Sequence, residues 1–427
     1  MLVGNLSGSE KMVRRNRSYF QLVEVDFMKS TALFTVGMLA IVLTGNVVQA
    51  ADPPIVTIRS DFPGGNIVVI SNDGEAIEMK PDLRGGRDWF YWYFEAVAKE
   101  PGEMIFSFPE KTAGFKNGAV GFQGPAISKD DGTTWTWMGN ETAVIRGRSF
   151  SYKFSEPGQK VRFSSSIPYV QKDFEKFVAT HSGNPHFATS VLTESAHGRN
   201  VELVQIGTPG PDKKAVLFTG RHHAGESIAS YLLEGVMESA VSDNPVGKEF
   251  RRDYVLYVVP FVDKDGVEEG DQGKGRRPHD HNRDYGPEAA FPEVKAIMNL
   301  ANEKNIRASL DFHCPTLVMD IHQLMYFAGT SDVPSHNLAT VKQFAANIKA
   351  ELPDGAPSGP LVWLKPDSAT KRTMNSSHFA HRPGILMAAT LETPFAPRGT
   401  KMEVNDIRSY GTAVLKAWNK MKFVDSE

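Results

Sequence analysis

The 427-residue sequence contains one cysteine, Cys314, so no disulfide can form within the chain. The chain also lacks an excess of either charge, since 47 Lys and Arg against 50 Asp and Glu leave a formal net charge of −3. This balance excludes a protein that binds nucleic acid through a broad basic surface. No internal repeat or low-complexity tract occurs, and 41% of the residues are hydrophobic, which excludes a disordered or collagen-like chain. The composition is that of a globular protein that binds its partners at a defined site.

Long apolar runs are lacking as well. The N-terminal apolar stretch from Ala32 to Leu43 is too short to span a bilayer comfortably. A lysine precedes it and small residues ending at Ala50 follow it, which is the pattern of a secretory signal peptide. An uncleaved N-terminal anchor is the alternative interpretation. We predict a signal peptide over residues 28–50, a preceding segment 1–27 that is disordered or not translated, and a periplasmic or secreted mature protein without a stable membrane span.

Residues 51–170 read as an all-β unit. Short β-branched and aromatic runs alternate there with turn residues such as Asn72-Asp73-Gly74 and Pro157-Gly158, and no helical period appears. The pattern predicts a β-sandwich. Four of the six tryptophans lie in this part, and we expect them to pack in its core rather than form a carbohydrate platform: Trp89, Trp92, Trp135 and Trp137.

Residues 171–427 show a different pattern, in which apolar strand-like runs alternate with amphipathic helical stretches. This alternation predicts an α/β domain with a largely parallel sheet. A helix is predicted from about Ser227 to Val241. The predicted buried strands are Ala215–Thr219, Val255–Val259, Ala308–Phe312 and Ile385–Leu391.

Reactive side chains follow several of these strands. His223 and Glu226 are three residues apart at the start of the predicted helix, so both side chains can reach one cation. His313 and Glu392 end two further apolar runs. Sites in open α/β sheets gather at the carboxyl ends of the strands, so these side chains are expected to meet. His223, Glu226 and His313 would give zinc three protein ligands and leave a fourth position for water, the catalytic arrangement.

Three further groups of residues suit hydrolysis of an amide bond. Glu392 has uncharged neighbours, which should raise its carboxyl pKa and suit it to transfer protons. The glycine-rich charged stretch 263–277 reads as a loop, and Arg276 or Arg277 can neutralise an oxyanion. Asn282 with Arg283 can hold a carboxylate.

Together these residues resemble the zinc carboxypeptidase family, most closely its cytosolic-carboxypeptidase-like branch. That branch shows an H-P-G-E-S box, an N-P-D-G-V stretch, a D-x-N-R box, a D-x-H strand end and a T-L-E near the C-terminus. It also carries a β-sandwich ahead of the catalytic domain. The resemblance therefore implies an α/β/α catalytic domain with a mixed, largely parallel sheet behind an all-β sandwich. The corresponding stretches here, in the same order, are His223–Ser227, Asp263–Val267, Asp280–Arg283, Asp311–His313 and Thr390–Glu392.

The resemblance implies one Zn²⁺ per chain, bound by His223, Glu226 and His313. It also implies Glu392 as general base and acid. Asn282 with Arg283 would bind the terminal carboxylate of the substrate. Asp280 would orient a ligand histidine, and Arg277, in preference to Arg276, would be the electrophilic arginine.

The sequence departs from the pattern of the family at several places. The pancreatic type uses a tyrosine ahead of the catalytic glutamate, but none occurs between Tyr326 and Glu392, so His378 or Tyr326 is a candidate replacement. The stretch Thr370–Arg372 resembles a G-T-G-R stretch near the specificity pocket. Arg372 there would favour an acidic terminal residue, unless the stretch is simply an exposed loop. Cys314 is expected to be a small buried neighbour of the site rather than a nucleophile.

The sequence therefore predicts an exported zinc metallocarboxypeptidase that acts on peptides with a free C-terminal carboxylate. Two alternatives stay open. One is an N-acyl amino acid amidohydrolase of aspartoacylase type, and the other is a non-catalytic protein that binds peptide or glycan. No nucleic-acid or nucleotide motif appears.

Overall fold

The computed structural model describes residues 55–84, 91–109, 118–317, 319–330, 332–359, 362–364, 374–400, 402–421 and 423. The predicted signal peptide, Trp89 and the stretch Thr370–Arg372 lie outside these residues. Within the described ranges, no helix combines the length and the apolar character needed to cross a membrane.

Ten strands of the described N-terminal part form two five-stranded sheets. In spatial order, one sheet contains β1 (Val56–Arg59), β4 (Tyr93–Ala98), β10 (Lys160–Ser164), β6 (Ala126–Ser128) and β7 (Thr136–Trp137). The other contains β2 (Val68–Asn72), β3 (Ala76–Lys80), β5 (Gly102–Ser107), β9 (Ser149–Phe154) and β8 (Ala143–Ile145).

Aromatic side chains from both sheets fill the space between them. The ring of Phe106 in β5 lies 5.2 Å from that of Phe163 in β10, and Trp92 stacks on Phe150 at 5.9 Å. Offset and edge contacts of this kind stabilise a core beyond the area they bury. Trp92 is buried in the core of the sandwich, as expected, whereas Trp137 is buried in a core cluster that it shares with the second region. The two sheets form the predicted β-sandwich.

The described part of the second region contains an eight-stranded mixed sheet. Its four central strands, β14, β13, β15 and β18, are parallel, and antiparallel pairs flank them on both sides. This arrangement confirms the predicted fold class. In spatial order the strands are β11 (Phe187–Glu194), β12 (Asn200–Ile206), β14 (Tyr254–Val259), β13 (Lys214–Gly220), β15 (Ile306–His313), β18 (Met387–Glu392), β16 (Tyr326–Thr330) and β17 (Val362–Leu364).

Helices cover both faces of this sheet. Alternate strand residues, such as Val216 and Leu217, belong to different core clusters, because successive side chains point to opposite faces. The first cluster includes side chains of α1 (Gln171–Thr180), α2 (Ile228–Val241), α3 (Pro245–Asp253), α6 (Ser335–Glu351) and α8 (Val404–Asn419). The second includes side chains of α5 (Pro292–Glu303) and α7 (Asn375–Ala380).

The stretch after β14 corrects the prediction of an uninterrupted loop, because it contains the short helix α4 (Lys264–Glu269). The Asp263 side chain caps this helix by accepting a hydrogen bond from the Gly266 amide. Gly270 ends it in the left-handed conformation at φ 78°, which glycine adopts without steric cost. The many charged residues and glycines of this stretch predicted a loop, although it contains a helix that is capped at both ends.

Two glycines allow α2 and α8 to approach closely. A Cβ atom on Gly235 would lie 2.1 Å from the carbonyl oxygen of Arg408, and one on Gly411 would lie 2.4 Å from that of Leu232. We expect Gly235→Ala to lower the free energy of unfolding by about 1–3 kcal/mol, because the helices must separate to admit the methyl group. Urea unfolding followed by circular dichroism measures this change.

The matched control is Gly286→Ala. No heavy atom lies within 4 Å of a Cβ built on Gly286, so its free energy of unfolding should stay within about 0.5 kcal/mol of the wild-type value. Equal effects of the two substitutions would contradict the close helix crossing.

Candidate metal centre and active site

The candidate site lies at the carboxyl ends of three neighbouring parallel strands. After β13 ends at Gly220, the chain turns sharply at Arg221, whose φ is 62°, and continues through His223 and Glu226 into α2. Strand β15 ends at His313 and β18 ends at Glu392, and these two residues are direct partners in the parallel pair. The sheet therefore brings together His223 and Glu392, which are 169 positions apart in the sequence.

Three buried side chains face one point at this edge. Nδ1 of His223 lies 2.9 Å from Oε1 of Glu226, and Nδ1 of His313 lies 2.8 Å from Oε2 of the same carboxylate. The ligand atoms of the three residues all lie within 4.8 Å of one another. The structure thus brings together the three residues that the sequence singled out as metal ligands.

The outer ring nitrogens of the two histidines face other carboxylates. Nε2 of His223 lies 3.5 Å from Oδ1 of Asp280, and Nε2 of His313 lies 2.7 Å from Oδ2 of Asp311. A carboxylate at this position fixes the orientation and tautomer of a metal-binding histidine. Asp280 therefore lies where the sequence expectation put it, and Asp311 makes the equivalent contact to the second histidine.

The charges of this cluster show that a cation fits it. Burial raises the pKa of the Glu226 carboxyl, but the imidazoles of His223 and His313 outweigh burial and hold that pKa well below its usual range. Burial lowers the pKa of His313, but Asp311 and Glu226 outweigh this and raise it well above its usual value. Protons on the imidazoles thus balance the buried carboxylates. A divalent cation would take their place, because a ligand nitrogen must be deprotonated.

His313 also belongs to a second group of possible ligands, with His222 and Asp311. Nδ1 of His222 lies 2.8 Å from Oδ1 of Asp311, and its Nε2 lies 2.7 Å from the Tyr285 hydroxyl. The Asn375 side chain donates a further hydrogen bond to that hydroxyl at 2.8 Å. Because these groups form a continuous hydrogen-bonded chain, the arrangement is that of a support behind His313 rather than of an open site.

Glu392 lies beside the cluster and is partly exposed. Burial raises the pKa of its carboxyl, and the negative charge of Glu226 adds to this effect, while His313 opposes it. Tyr326 is the register partner of Glu392 on the antiparallel strand β16, and burial together with Glu392 raises the pKa of its phenol. Of the two candidates for the missing tyrosine, Tyr326 is the one beside Glu392. His378 lies on α7 with its ring 5.5 Å from that of Tyr285.

The arginine expectation is not supported by the geometry. Arg276 is held by two carboxylates, with its guanidinium 2.8 Å from Oδ2 of Asp263 and 2.8 Å from Oδ2 of Asp271. Arg277, the favoured candidate, is exposed, and no hydrogen bond or ion pair joins it to the ligand cluster within the described residues. Arg276 is thus already paired with two carboxylates, and Arg277 stays a prediction that no contact among the described residues joins to the ligand cluster.

The proposed carboxylate-binding pair lies next to the ligand cluster. The Asn282 side chain is buried, and its Nδ2 lies 3.1 Å from Nε2 of His313. Its Oδ1 accepts a hydrogen bond from the backbone amide of Asn375 at 2.9 Å. Arg283 is half-buried, and its guanidinium donates to the Asn282 carbonyl at 2.9 Å. Its positive charge also helps to lower the pKa of Asp280, although burial opposes this.

The sequence interpretation missed one supporting residue, Arg221, and expected the burial of another, Cys314. Arg221 is fully buried and donates hydrogen bonds to the Ala224 carbonyl, the Tyr169 carbonyl and the Ser230 hydroxyl. It thereby fixes the turn that carries His223. Cys314, expected as a buried neighbour, is fully buried, and its backbone amide donates to Oε2 of Glu226 at 3.1 Å. Burial raises the pKa of its thiol, which disfavours the reactive thiolate.

Comparison with known proteins identifies the family. The family model for zinc carboxypeptidases, peptidase M14, matches residues 175–411, which is more than half of the chain. The chain belongs to the zinc carboxypeptidase family, a family of zinc metallopeptidases, so this prediction from the sequence is confirmed. The matched range contains the proposed metal ligands, Glu392 and the pair Asn282 and Arg283.

Curated relatives match only in part. Cytosolic carboxypeptidase 6 of Caenorhabditis elegans is 24% identical over 272 residues, which cover 57% of this chain and 58% of the relative. Cytosolic carboxypeptidase 2 of Xenopus tropicalis is 26% identical over 292 residues, which cover 60% of this chain and 30% of the relative. The chain thus spans between about a third and three fifths of the length of these two relatives.

Solved structures agree in fold over nearly the whole described chain. A metallo-carboxypeptidase from Burkholderia cenocepacia has a TM-score of 0.70 at 21% identity and covers 85% of this chain and 97% of its own. The metallo-carboxypeptidase from Pseudomonas aeruginosa in complex with (2-guanidinoethylmercapto)succinic acid has a TM-score of 0.69 at 20% identity, with coverages of 85% and 98%. Coverage this high includes strands of the β-sandwich as well as the eight-stranded sheet.

Proposed function

We propose that this protein is a zinc-dependent metallocarboxypeptidase that binds one zinc ion through His223, Glu226 and His313. The observation that supports the proposal most strongly is the pairing of His313 with Glu392 across two parallel strands. It puts a carboxyl group whose pKa burial raises directly beside the proposed ligands. A metal-assisted hydrolase needs this combination, because a group near the metal must accept and return a proton.

Zinc at this point supplies Lewis acidity, which activates water and polarises a carbonyl group. Glu392 accepts a proton from the attacking water while the water oxygen bonds to the scissile carbonyl carbon. When the carbon–nitrogen bond breaks, its electron pair stays on the nitrogen, and the Glu392 carboxyl returns the proton to it. Asp280 and Asp311 keep both ligand histidines oriented through these steps.

The proposed substrates are peptides with a free C-terminal carboxylate, which Asn282 and Arg283 would hold. A planar guanidinium matches a carboxylate by paired hydrogen bonds, so recognition of this group restricts cleavage to the last residue. We further propose a preference for acidic terminal residues. This preference rests on Arg372 in the stretch that resembles the specificity loop of the family, since a cation there pairs with Glu or Asp.

The signal-like segment at residues 28–50 supports export, so we propose that the mature protein begins at Ala51 and is periplasmic or secreted. Its substrates would then be imported peptides or cell-wall stem peptides. The hypothesis of a glycan-binding module loses two of its four candidate tryptophans, because Trp92 and Trp137 are buried and cannot offer a platform. The amidohydrolase hypothesis gains no support from any contact in the described residues.

Mass spectrometry of a mixed peptide library tests this function. Each peptide is supplied with a free and with an amidated C-terminus, and the zinc-loaded chain from Ala51 onward is compared with Glu392→Gln. We expect loss of single terminal residues from the free acids alone, fastest for Glu and slower for its uncharged match Gln. Equal trimming of Glu and Gln would contradict the acidic preference. Absence of trimming in every peptide by a zinc-loaded protein would contradict the carboxypeptidase assignment.

A further inference from the structure

Hydrolysis at the proposed site needs a positive group beside the carbonyl oxygen, because that oxygen becomes an anion as the water attacks. Of the two arginines expected in this role, Arg276 is paired with Asp263 and Arg277 is exposed. We infer that Lys274 supplies this charge and acts as the electrophilic residue of the site. The inference rests on the proposed carboxypeptidase function and adds to it a catalytic residue that the sequence interpretation did not consider.

The backbone on both sides of Lys274 is attached to the turn that carries His223. The Gln272 carbonyl accepts a hydrogen bond from the Gly225 amide at 3.0 Å. A Cβ atom on Gly273 would lie 3.0 Å from Cα of His223 and 2.4 Å from the Ala224 nitrogen, so the two segments are in direct backbone contact. Glycine is required at this position, because any side chain would push Lys274 away from the ligand histidine.

The segment after Lys274 is attached as well. The Gly275 amide donates a hydrogen bond to Oδ2 of Asp280 at 3.2 Å, and Oδ1 of the same carboxylate faces His223. Lys274 is therefore held between two contacts, one to the backbone and one to the acidic partner of the same ligand histidine. These contacts fix the backbone of Lys274 relative to the proposed metal site.

The β-sandwich holds this segment from the other side. The Tyr91 amide donates to the Gln272 side chain at 3.0 Å, and the Asn66 side chain donates to the Gly270 carbonyl at 2.7 Å. Both contacts are buried. The sandwich therefore acts on the site by fixing the loop that carries Lys274.

The charge of Lys274 acts on the side of the site where Glu392 lies. Burial lowers the pKa of His322 to about 4, and the ammonium group of Lys274 adds to this effect. His322 lies in the 3₁₀ turn Asp320–Gln323 just ahead of β16, and its ring is 6.2 Å from that of Tyr326. The charge of Lys274 thus acts beside β16, the strand that pairs Tyr326 with Glu392.

The ammonium group of Lys274 is also available. The side chain is partly buried, and it makes no hydrogen bond or ion pair within the described part of the chain. A lysine ammonium is a compact charge on a flexible stem, so it can reach an oxygen that becomes negative.

Lys274 takes part in the reaction as a hydrogen-bond donor and is not consumed. As the water oxygen bonds to the carbonyl carbon, the π electrons move to the carbonyl oxygen, and the ammonium donates a hydrogen bond to it. The interaction weakens when the carbonyl re-forms and the amine leaves with the proton from Glu392. Because it is strongest in the transition state, its loss should lower kcat more than it raises KM.

The test compares Lys274→Met, Lys274→Arg and Arg277→Met in the zinc-loaded chain. We expect Lys274→Met to lower kcat by about 10²–10³-fold with KM changed by less than about threefold, and Lys274→Arg to recover at least a tenth of wild-type kcat. Arg277→Met and the exposed control Lys248→Met should keep kcat within about threefold. Zinc content and thermal midpoint are measured for every variant.

Calorimetry with a phosphonate peptide gives a second readout, because its tetrahedral anion resembles the transition state. Its Kd should rise with Lys274→Met by the same factor as kcat/KM falls, while the Kd of the peptide product stays within about threefold. An unchanged kcat, a loss confined to KM, or an equal loss in Arg277→Met would overturn the inference. A wild-type protein that neither trims peptides nor binds the phosphonate would overturn the proposed function, and this inference with it.

Discussion

Replacing Glu392 by glutamine is expected to lower kcat by about 10²–10⁴-fold, the usual contribution of a positioned general acid–base group. The amide keeps the size of the side chain but can neither accept the proton of the attacking water nor return one to the amine. Zinc content and KM should stay close to the wild-type values, because the residue is not among the proposed ligands. Steady-state hydrolysis of a peptide with a free C-terminus measures the effect.

The matched control is Glu238→Gln on the exposed side of α2, which should leave kcat within about threefold. Retention of more than a tenth of wild-type kcat in Glu392→Gln would show that another group transfers the proton. Tyr326, the register partner of Glu392, would then be the first residue to substitute.

Removing one proposed ligand should have an effect at least as large. We expect His223→Ala to lose its zinc during dialysis and to lower kcat/KM by about 10³-fold or more, because two remaining ligands hold the metal poorly and its Lewis acidity is lost. Metal content after dialysis and turnover at equal protein concentration measure this.

His336→Ala is the control, since His336 is an exposed histidine on α6 and makes no contact with the site among the described residues. It should keep one zinc per chain and full turnover. Zinc retained by His223→Ala at the wild-type level would mean that the metal is bound elsewhere, and the group formed by His222, Asp311 and His313 would be the first alternative.

The fold was predictable from the sequence because its central strands are largely buried. A strand such as β14, buried at every position, gives an apolar run that reads directly as a central parallel strand. His313 and Glu392 could be assigned to one site for a related reason. Both end such runs, and the carboxyl ends of parallel strands meet at one edge.

The loop around Lys274 could not be predicted in the same way. Its conformation depends on α4, on Gly273 packing against His223, and on the β-sandwich contact through Tyr91, all of which are tertiary contacts. The sequence shows two adjacent arginines there, and the chemical expectation of an arginine led to them. What decides their availability is pairing and exposure: Arg276 is bound by Asp263 and Asp271, and Arg277 faces solvent.

The network behind the ligands was only partly predictable. Asp280 could be named from its motif, whereas Tyr285 and Asn375 join the chain of hydrogen bonds behind His222 only through folding. Each of them is an ordinary polar residue in the sequence. Their support of Asp311 and His313 follows from burial, since a buried polar group must find a partner.

Anomalous diffraction at the zinc absorption edge, from crystals of the zinc-loaded chain, tests the central claim most directly. The structure predicts one strong peak per chain, about 2.0–2.2 Å from Nδ1 of His223, from Nδ1 of His313 and from the Glu226 carboxylate. A zinc ion bound instead by Nε2 of His313 together with His222 and Asp311, or no peak near His313 at all, would contradict the assignment of the metal centre.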